Sequence, residues 1–204
     1  MIKEIFLNLI RKYSDSEKYI SECWTEIETS YASKSRHYHN LEHLEHMLSE
    51  LDKVKPQVKN LDTLLFTVFY HDIVYKATKN DNEHQSALLF EKRISKTSFP
   101  KLMECMTQIE LTKEHKLSAD HDTNILLDID LSILGENWEA YKKYSENIRK
   151  EYQIYPDFMY RKGRIKVLKS ILELDAIYKT DFFKQAYEKQ AKENLRHELN
   201  MLNA

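Results

Sequence analysis

Histidines and aspartates stand in this chain where they could hold a cation. The segment Arg36-His37-Tyr38-His39-Asn40-Leu41-Glu42-His43-Leu44-Glu45-His46 spaces three imidazoles four and then three residues apart. A helix that begins early enough would carry His39, His43 and His46 on one face. His71 and Asp72 interrupt the apolar run from Leu64 to Tyr75, and Asp128 and Asp130 interrupt the run from Ile125 to Leu134. An ionised carboxylate in such surroundings costs several kcal/mol unless it is paired or bound to a metal. Neither run contains Lys or Arg, so compensation must come from elsewhere in the fold or from a cation. One helix supplying His, a second His-Asp and a third Asp would make a mixed nitrogen-oxygen set with positions left for water. Adjacent residues on a helix point about 100° apart, so His71 and Asp72 meet one ion only if it lies between their directions. A lone His-Asp pair is ordinarily surface or satisfied core, and it is the ordered combination inside apolar runs that points to a metal.

The elements that must position these groups read as helices almost from end to end. Ile2, Ile5, Phe6, Leu9, Ile10 and Tyr13 recur at the spacing of one helix face, and Tyr19, Ile20, Cys23, Trp24, Ile27 and Tyr31 repeat the pattern after Ser14, Asp15 and Ser16. Asn40 is placed to cap a helix with Leu41, Leu44, Met47, Leu48 and Leu51 on its apolar face, and Pro56 ends it. The run from Leu61 to Tyr75 is apolar nearly all round, as a central helix would be. Asp81 and Asn82 are capping candidates for the next helix, through Ile94, and Ser98 with Pro100 opens another carrying Leu102, Met103, Met106 and Ile109. A buried segment from Ile125 is closed by Gly135 at a C-cap position. Three amphipathic helices follow, marked by Trp138 to Tyr152, Phe158 to Ile171 and Phe183 to Leu199. The expectation is one all-α domain of about nine or ten helices.

Composition narrows the function classes. With two glycines and three prolines in 204 residues, turns are few, which argues against sandwiches and propellers. A G-x-G-x-x-G dinucleotide loop cannot be written, and Gly135 and Gly163 are too far apart for a phosphate loop. A net charge of -2 offers no footprint for duplex nucleic acid. No apolar run approaches the roughly 18 to 20 residues of a membrane span, and Met1-Ile2-Lys3-Glu4 has no signal-peptide layout, so the expectation is a cytoplasmic protein without a membrane partner. Cys23 and Cys105 read as two small buried hydrophobes.

The order His43, His71-Asp72, Asp130 resembles the HD superfamily of metal-dependent phosphohydrolases, all-helical proteins named for that dyad. More closely, R-x-Y-H-N-x-x-H (Arg36 to His43), Y-H-D-I-V-Y (Tyr70 to Tyr75), D-N-E-x-x-S-A (Asp81 to Ala87) and D-I-D-L-S-I-L-G (Asp128 to Gly135) resemble a compact bacterial HD subfamily described as predicted metal-dependent phosphohydrolases. The H-N-x-x-H element is also similar to the motif of cyclic-nucleotide phosphodiesterases, which implies His39 as general acid and His43 as a ligand. The chain departs from those enzymes after the dyad, where Ile73, Val74 and Tyr75 replace their second histidine, so cyclic-nucleotide specificity is not implied. In D-x-D arrangements of the superfamily the second residue is usually the ligand, which selects Asp130 and leaves Asp128 in reserve.

The resemblance therefore implies one or two divalent ions (manganese, magnesium, zinc, iron, nickel or cobalt) on His43, His71, Asp72 and Asp130. Water activated there would attack a phosphate ester, with Asp72 shared between ions. His115 and Glu83 are candidates for a second ion or its water. Phosphate recognition needs cations, for which Arg36, Arg149 and Arg164 are the candidates. The expected partner is a small phosphorylated molecule, a nucleotide among the options. Two other readings stay open: a di-iron HD-fold oxygenase, and a non-catalytic sensor of metal or nucleotide. A homodimer is compatible with the aromatic C-terminal helices.

Overall fold

Residues 1–203 of the chain are described by a computed structural model. Among them are ten α-helices, two short 3-10 turns and no strand, which is the all-α architecture that periodicity leads one to expect. The helices are α1 (Ile2–Ile10), α2 (Glu17–Tyr31), α3 (Leu41–Val54), α4 (Leu61–Tyr70), α5 (Asn82–Ile94), α6 (Leu102–Leu111), α7 (His121–Leu131), α8 (Trp138–Glu151), α9 (Asp157–Leu172) and α10 (Asp181–Asn203). No described helix is long and apolar enough to cross a membrane. The chain divides into two compact units, Met1–Leu126 and Leu127–Ala204.

In the first unit α4 is the buried centre, and α1, α3, α5 and α6 pack against it. Its sequence requires this, since Leu64, Phe66, Val68, Phe69 and Tyr70 are all fully buried and point around the helix rather than to one side. The Phe6 ring of α1 meets Phe69 edge-on at 5.1 Å, and Tyr13 meets Phe99 the same way at 5.0 Å. Asn60, the N-cap of α4, offers its first turn no side-chain cap. Asp122 supplies an acceptor just upstream: its carboxylate accepts from the Lys59 amide at 2.9 Å and the Asn60 amide at 2.6 Å. Cys23 and Cys105 are buried thiols, as expected.

In the second unit α10 packs on α9 and on the 3-10 turn Ser132–Gly135. Gly135 does not end a helix in a left-handed conformation, because no glycine has a positive φ. It is required by close approach: a Cβ there would lie 2.5 Å from Tyr187 Cβ and 2.8 Å from the Tyr187 carbonyl oxygen. The carbonyl oxygen belongs to the α10 backbone and the Cβ is fixed directly to it, so neither can swing aside. Gly163, inside α9, has nothing within 4 Å of its Cβ position. The two glycines should therefore respond oppositely to alanine. Gly135→Ala is expected to destabilise by about 1–3 kcal/mol through overpacking. Gly163→Ala should stabilise by about 0.5–1 kcal/mol through helix propensity and a less flexible unfolded chain. Urea midpoints of the two variants check the pair, and shifts of the same sign would refute the contrast.

Candidate metal centre

Two helix ends and the loops beside them build the centre in the first unit. Asn40 caps α3, its side-chain oxygen accepting from the amides of Glu42 at 2.9 Å and His43 at 3.3 Å. The cap makes Leu41 the first helical residue, so His43 lies in the first turn of α3 and His39 lies outside it, in the preceding loop. The helix-face alignment of His39, His43 and His46 therefore does not occur. The helix expected through Tyr75 also stops early, at Tyr70, with His71 as its C-cap. His71 keeps helical φ and ψ of -56° and -40°, its amide donating to the Thr67 carbonyl oxygen at 2.8 Å, and Asp72 follows beyond the regular helix.

The result is a cluster. His43 Nε2 and His71 Nε2 are 3.3 Å apart, and His71 Nε2 lies 3.3 Å from Asp72 Oδ2. Ligand atoms of all three residues fall within 4.8 Å of one another. His43 and His71 are buried, 2% and 1% exposed, while the Asp72 side chain is 14% exposed. His71 Nδ1 is 2.9 Å from the Val68 carbonyl oxygen, which can only accept, so Nδ1 carries the proton. That bond leaves the Nε2 lone pair aimed at the cluster, just as metal-bound histidines commonly donate their other ring N–H to a carbonyl or carboxylate that fixes the ring. Nitrogens bound at about 2.0–2.1 Å around a tetrahedral ion sit about 3.4 Å apart, close to the observed spacing. The donor set and its spacing thus fit a divalent transition metal.

His39 completes the rim. Its Nε2 is 3.8 Å from Asp72 Oδ2, and its ring stacks on Tyr75 with centroids 4.1 Å apart. Tyr38 packs edge-on to His39 at 5.0 Å and tilted to His43 at 4.9 Å.

Residues not anticipated as functional hold the turn after the dyad. Ser86 Oγ accepts from the Val74 amide at 3.1 Å, and the Asn82 amide group pairs with both Lys76 backbone groups, at 3.1 and 3.0 Å. Both side chains are buried on the face of α5 that also carries Phe90 and Ile94. Their four-residue spacing, Asn82, Ser86, Phe90, puts two polar residues on an apolar stripe, a signal the sequence contains. Asp81, the other capping candidate, makes no side-chain cap bond.

The remaining site candidates are placed otherwise. Glu83 lies in the first turn of α5, half-buried. His115 lies in the turn after α6 with φ of 49°, a left-handed conformation that costs a non-glycine residue about 1–2 kcal/mol. Asp128 and Asp130 belong to the second unit. Asp128 is fully buried and its carboxylate accepts from the Lys179 and Thr180 amides, each at 2.7 Å, and from the Thr180 hydroxyl at 2.8 Å, so it serves the start of α10. Burial pushes its pKa up, and those three bonds push back. Asp130 is half-buried and, with Asp128 and Glu188, opposes the fall that burial imposes on the Lys179 pKa.

The three arginines expected to meet phosphate each have protein partners. Arg149 binds Asp157 at 2.6 Å and the carbonyls of Tyr152 and Tyr155. Arg164 is buried against Glu198, with bonds of 2.8 and 2.9 Å. Arg36, 8% exposed, donates to the carbonyl oxygens of Asp72 at 2.6 Å, Ile73 at 2.8 Å and His39 at 3.2 Å. Buried basic groups recruited by carboxylates or carbonyls look the same in sequence as phosphate ligands. Comparisons of the chain with protein-family models, with curated proteins and with solved structures find no match.

Proposed function

We propose that this chain is a metal-dependent phosphohydrolase acting on a small phosphate ester. The observation that carries the reading is the convergence of His43 Nε2, His71 Nε2 and Asp72 Oδ2, with the His71 tautomer fixed by Val68. His43, His71 and Asp72 would hold the ion. A divalent cation bound there supplies a lowered pKa for water, toward roughly 7, and charge neutralisation for phosphoryl oxygens.

The chain's own groups do the rest. Asp72 faces both His71 and His39, so one carboxylate orders two imidazoles at the mouth of the cluster. His39 is more exposed than the buried pair, with 18% of its side chain open, and stands where it can deliver a proton to a leaving oxygen. Stacking on Tyr75 fixes the plane of that ring, which limits the rotamers to be frozen out during proton transfer. Tyr38 and Tyr75 form aromatic walls beside it, surfaces on which the organic part of an ester can lie.

The test combines metal analysis of protein purified without chelator with turnover of nucleotides and generic phosphoesters, with and without manganese. Manganese-dependent release of phosphate, or of a phosphomonoester, is the expected result, and His39→Ala should lower kcat by about 100-fold or more while metal content is kept. Metal binding without any turnover would favour a sensor, and bound iron with an oxygen-dependent spectrum would favour an oxygenase.

A further inference from the structure

Arg36 is the cation nearest in sequence to the histidine segment, and its surroundings are unlike those of a substrate anchor. Its guanidinium is buried, and three of its donors are used on carbonyl oxygens from two different loops: His39 before α3, and Asp72 and Ile73 after α4. The carbon at its centre lies 4.9 Å from the Tyr31 ring and 5.7 Å from the Tyr75 ring. Those rings are themselves tied to the centre. The Tyr31 hydroxyl accepts from the Asp72 amide at 3.3 Å, and Tyr75 stacks on His39. A positive charge just past the end of α4 also meets the negative pole of that helix.

We propose that Arg36 is the positioning residue of the centre. It holds the His39 loop against the Asp72–Ile73 turn and thereby sets the distances from Asp72 to His71 and His39. The inference rests on the metal-centre reading above but assigns Arg36 to architecture rather than to phosphate. The chemistry explains why arginine is needed. Three carbonyls approached from two loops call for a planar fork with several fixed donors, whereas an ammonium group on a flexible stem bonds as a point charge and leaves part of the set unpaired. Each abandoned carbonyl would then draw in water or shift, and the Asp72 main chain would move with it.

Cobalt is a suitable probe, since its visible absorption reports the geometry of the atoms around it. The full chain is titrated with Co2+ as wild type, Arg36→Lys and Tyr31→Phe, with inorganic phosphate affinity and far-ultraviolet circular dichroism measured on each. Arg36→Lys is expected to bind Co2+ about 10- to 100-fold more weakly, the range for loss of an outer-shell partner, with an altered spectrum. Tyr31→Phe, which removes only the hydroxyl accepting from the Asp72 amide, should alter the spectrum in the same sense and provides the test if Arg36→Lys does not fold. Unchanged cobalt affinity and spectrum in the folded variants would overturn the proposal, and weakened phosphate binding alone would return Arg36 to the substrate. A wild-type chain that binds no Co2+ overturns the metal centre itself, an outcome distinct from a metal centre indifferent to Arg36.

Discussion

Replacement of Asp72 by alanine is expected to abolish the proposed binding of a divalent cation while leaving the helices in place. The carboxylate supplies the one anionic ligand of the His43, His71 and Asp72 cluster and is the only member not buried below one-tenth exposure. Loss of a neutral outer partner already weakens metal sites by about 10- to 100-fold, so loss of the charged ligand should exceed about 100-fold. The helices are expected to survive its loss, because the side chain lies beside the imidazoles of His71 and His39 at the edge of the centre. Thermal unfolding gives a sensitive readout. A ligand at 100 times its Kd stabilises the native state by about 2.7 kcal/mol, so manganese should raise the Tm of wild type and leave Asp72→Ala unmoved. An equal manganese response in both proteins, or unchanged metal stoichiometry in the variant, would refute the assignment.

Glu198→Ala is expected to be the most destabilising change in the second unit. Arg164 and Glu198 form a two-pronged ion pair at 2.8 and 2.9 Å with side chains only 7% and 10% exposed. The Tyr141 hydroxyl donates a short bond to the same carboxylate, and burial pushes the pKa of that hydroxyl up, so it stays protonated. Removing Glu198 strands a guanidinium and a hydroxyl together. Breaking one side of a buried pair costs about 3–5 kcal/mol, far above the 0–1 kcal/mol of an exposed bridge such as Arg11 with Glu17. The paired replacement Arg164→Met with Glu198→Met should recover most of the loss, because no charge is then left unpaired. Urea unfolding measures both; a single-variant cost below about 1 kcal/mol would show that water reaches Arg164.

The cluster was legible because burial makes polar residues conspicuous. Histidine and aspartate inside the runs around Leu64 and Ile125 are costly unless something compensates them, and periodicity alone locates those runs. The compensation differs at each. At Asp72 the neighbours are imidazoles, whereas at Asp128 they are backbone amides 51 and 52 residues away. The two aspartates carry equal weight in the sequence, and spacing does not distinguish a member of the histidine cluster from a helix-end acceptor. Arginine is ambiguous for the same reason. Arg36, Arg149 and Arg164 advertise charge, but whether that charge faces solvent, a carboxylate or main-chain carbonyls depends on groups distant along the chain.

Local pattern by itself determined the all-helical class, the count of about nine or ten helices, the Asn40 cap and the burial of His71, since each depends on residues within one or two turns. Tertiary structure alone decided where α4 stops, that His39 stands outside α3, that Asn82 and Ser86 brace the turn after Asp72, and that Gly135 is needed for contact with Tyr187 rather than for its φ. The physical reason is common to all of these. Helix propensity and amphipathicity act over a few residues, while a hydrogen bond or a steric limit between distant segments exists only once the chain has folded.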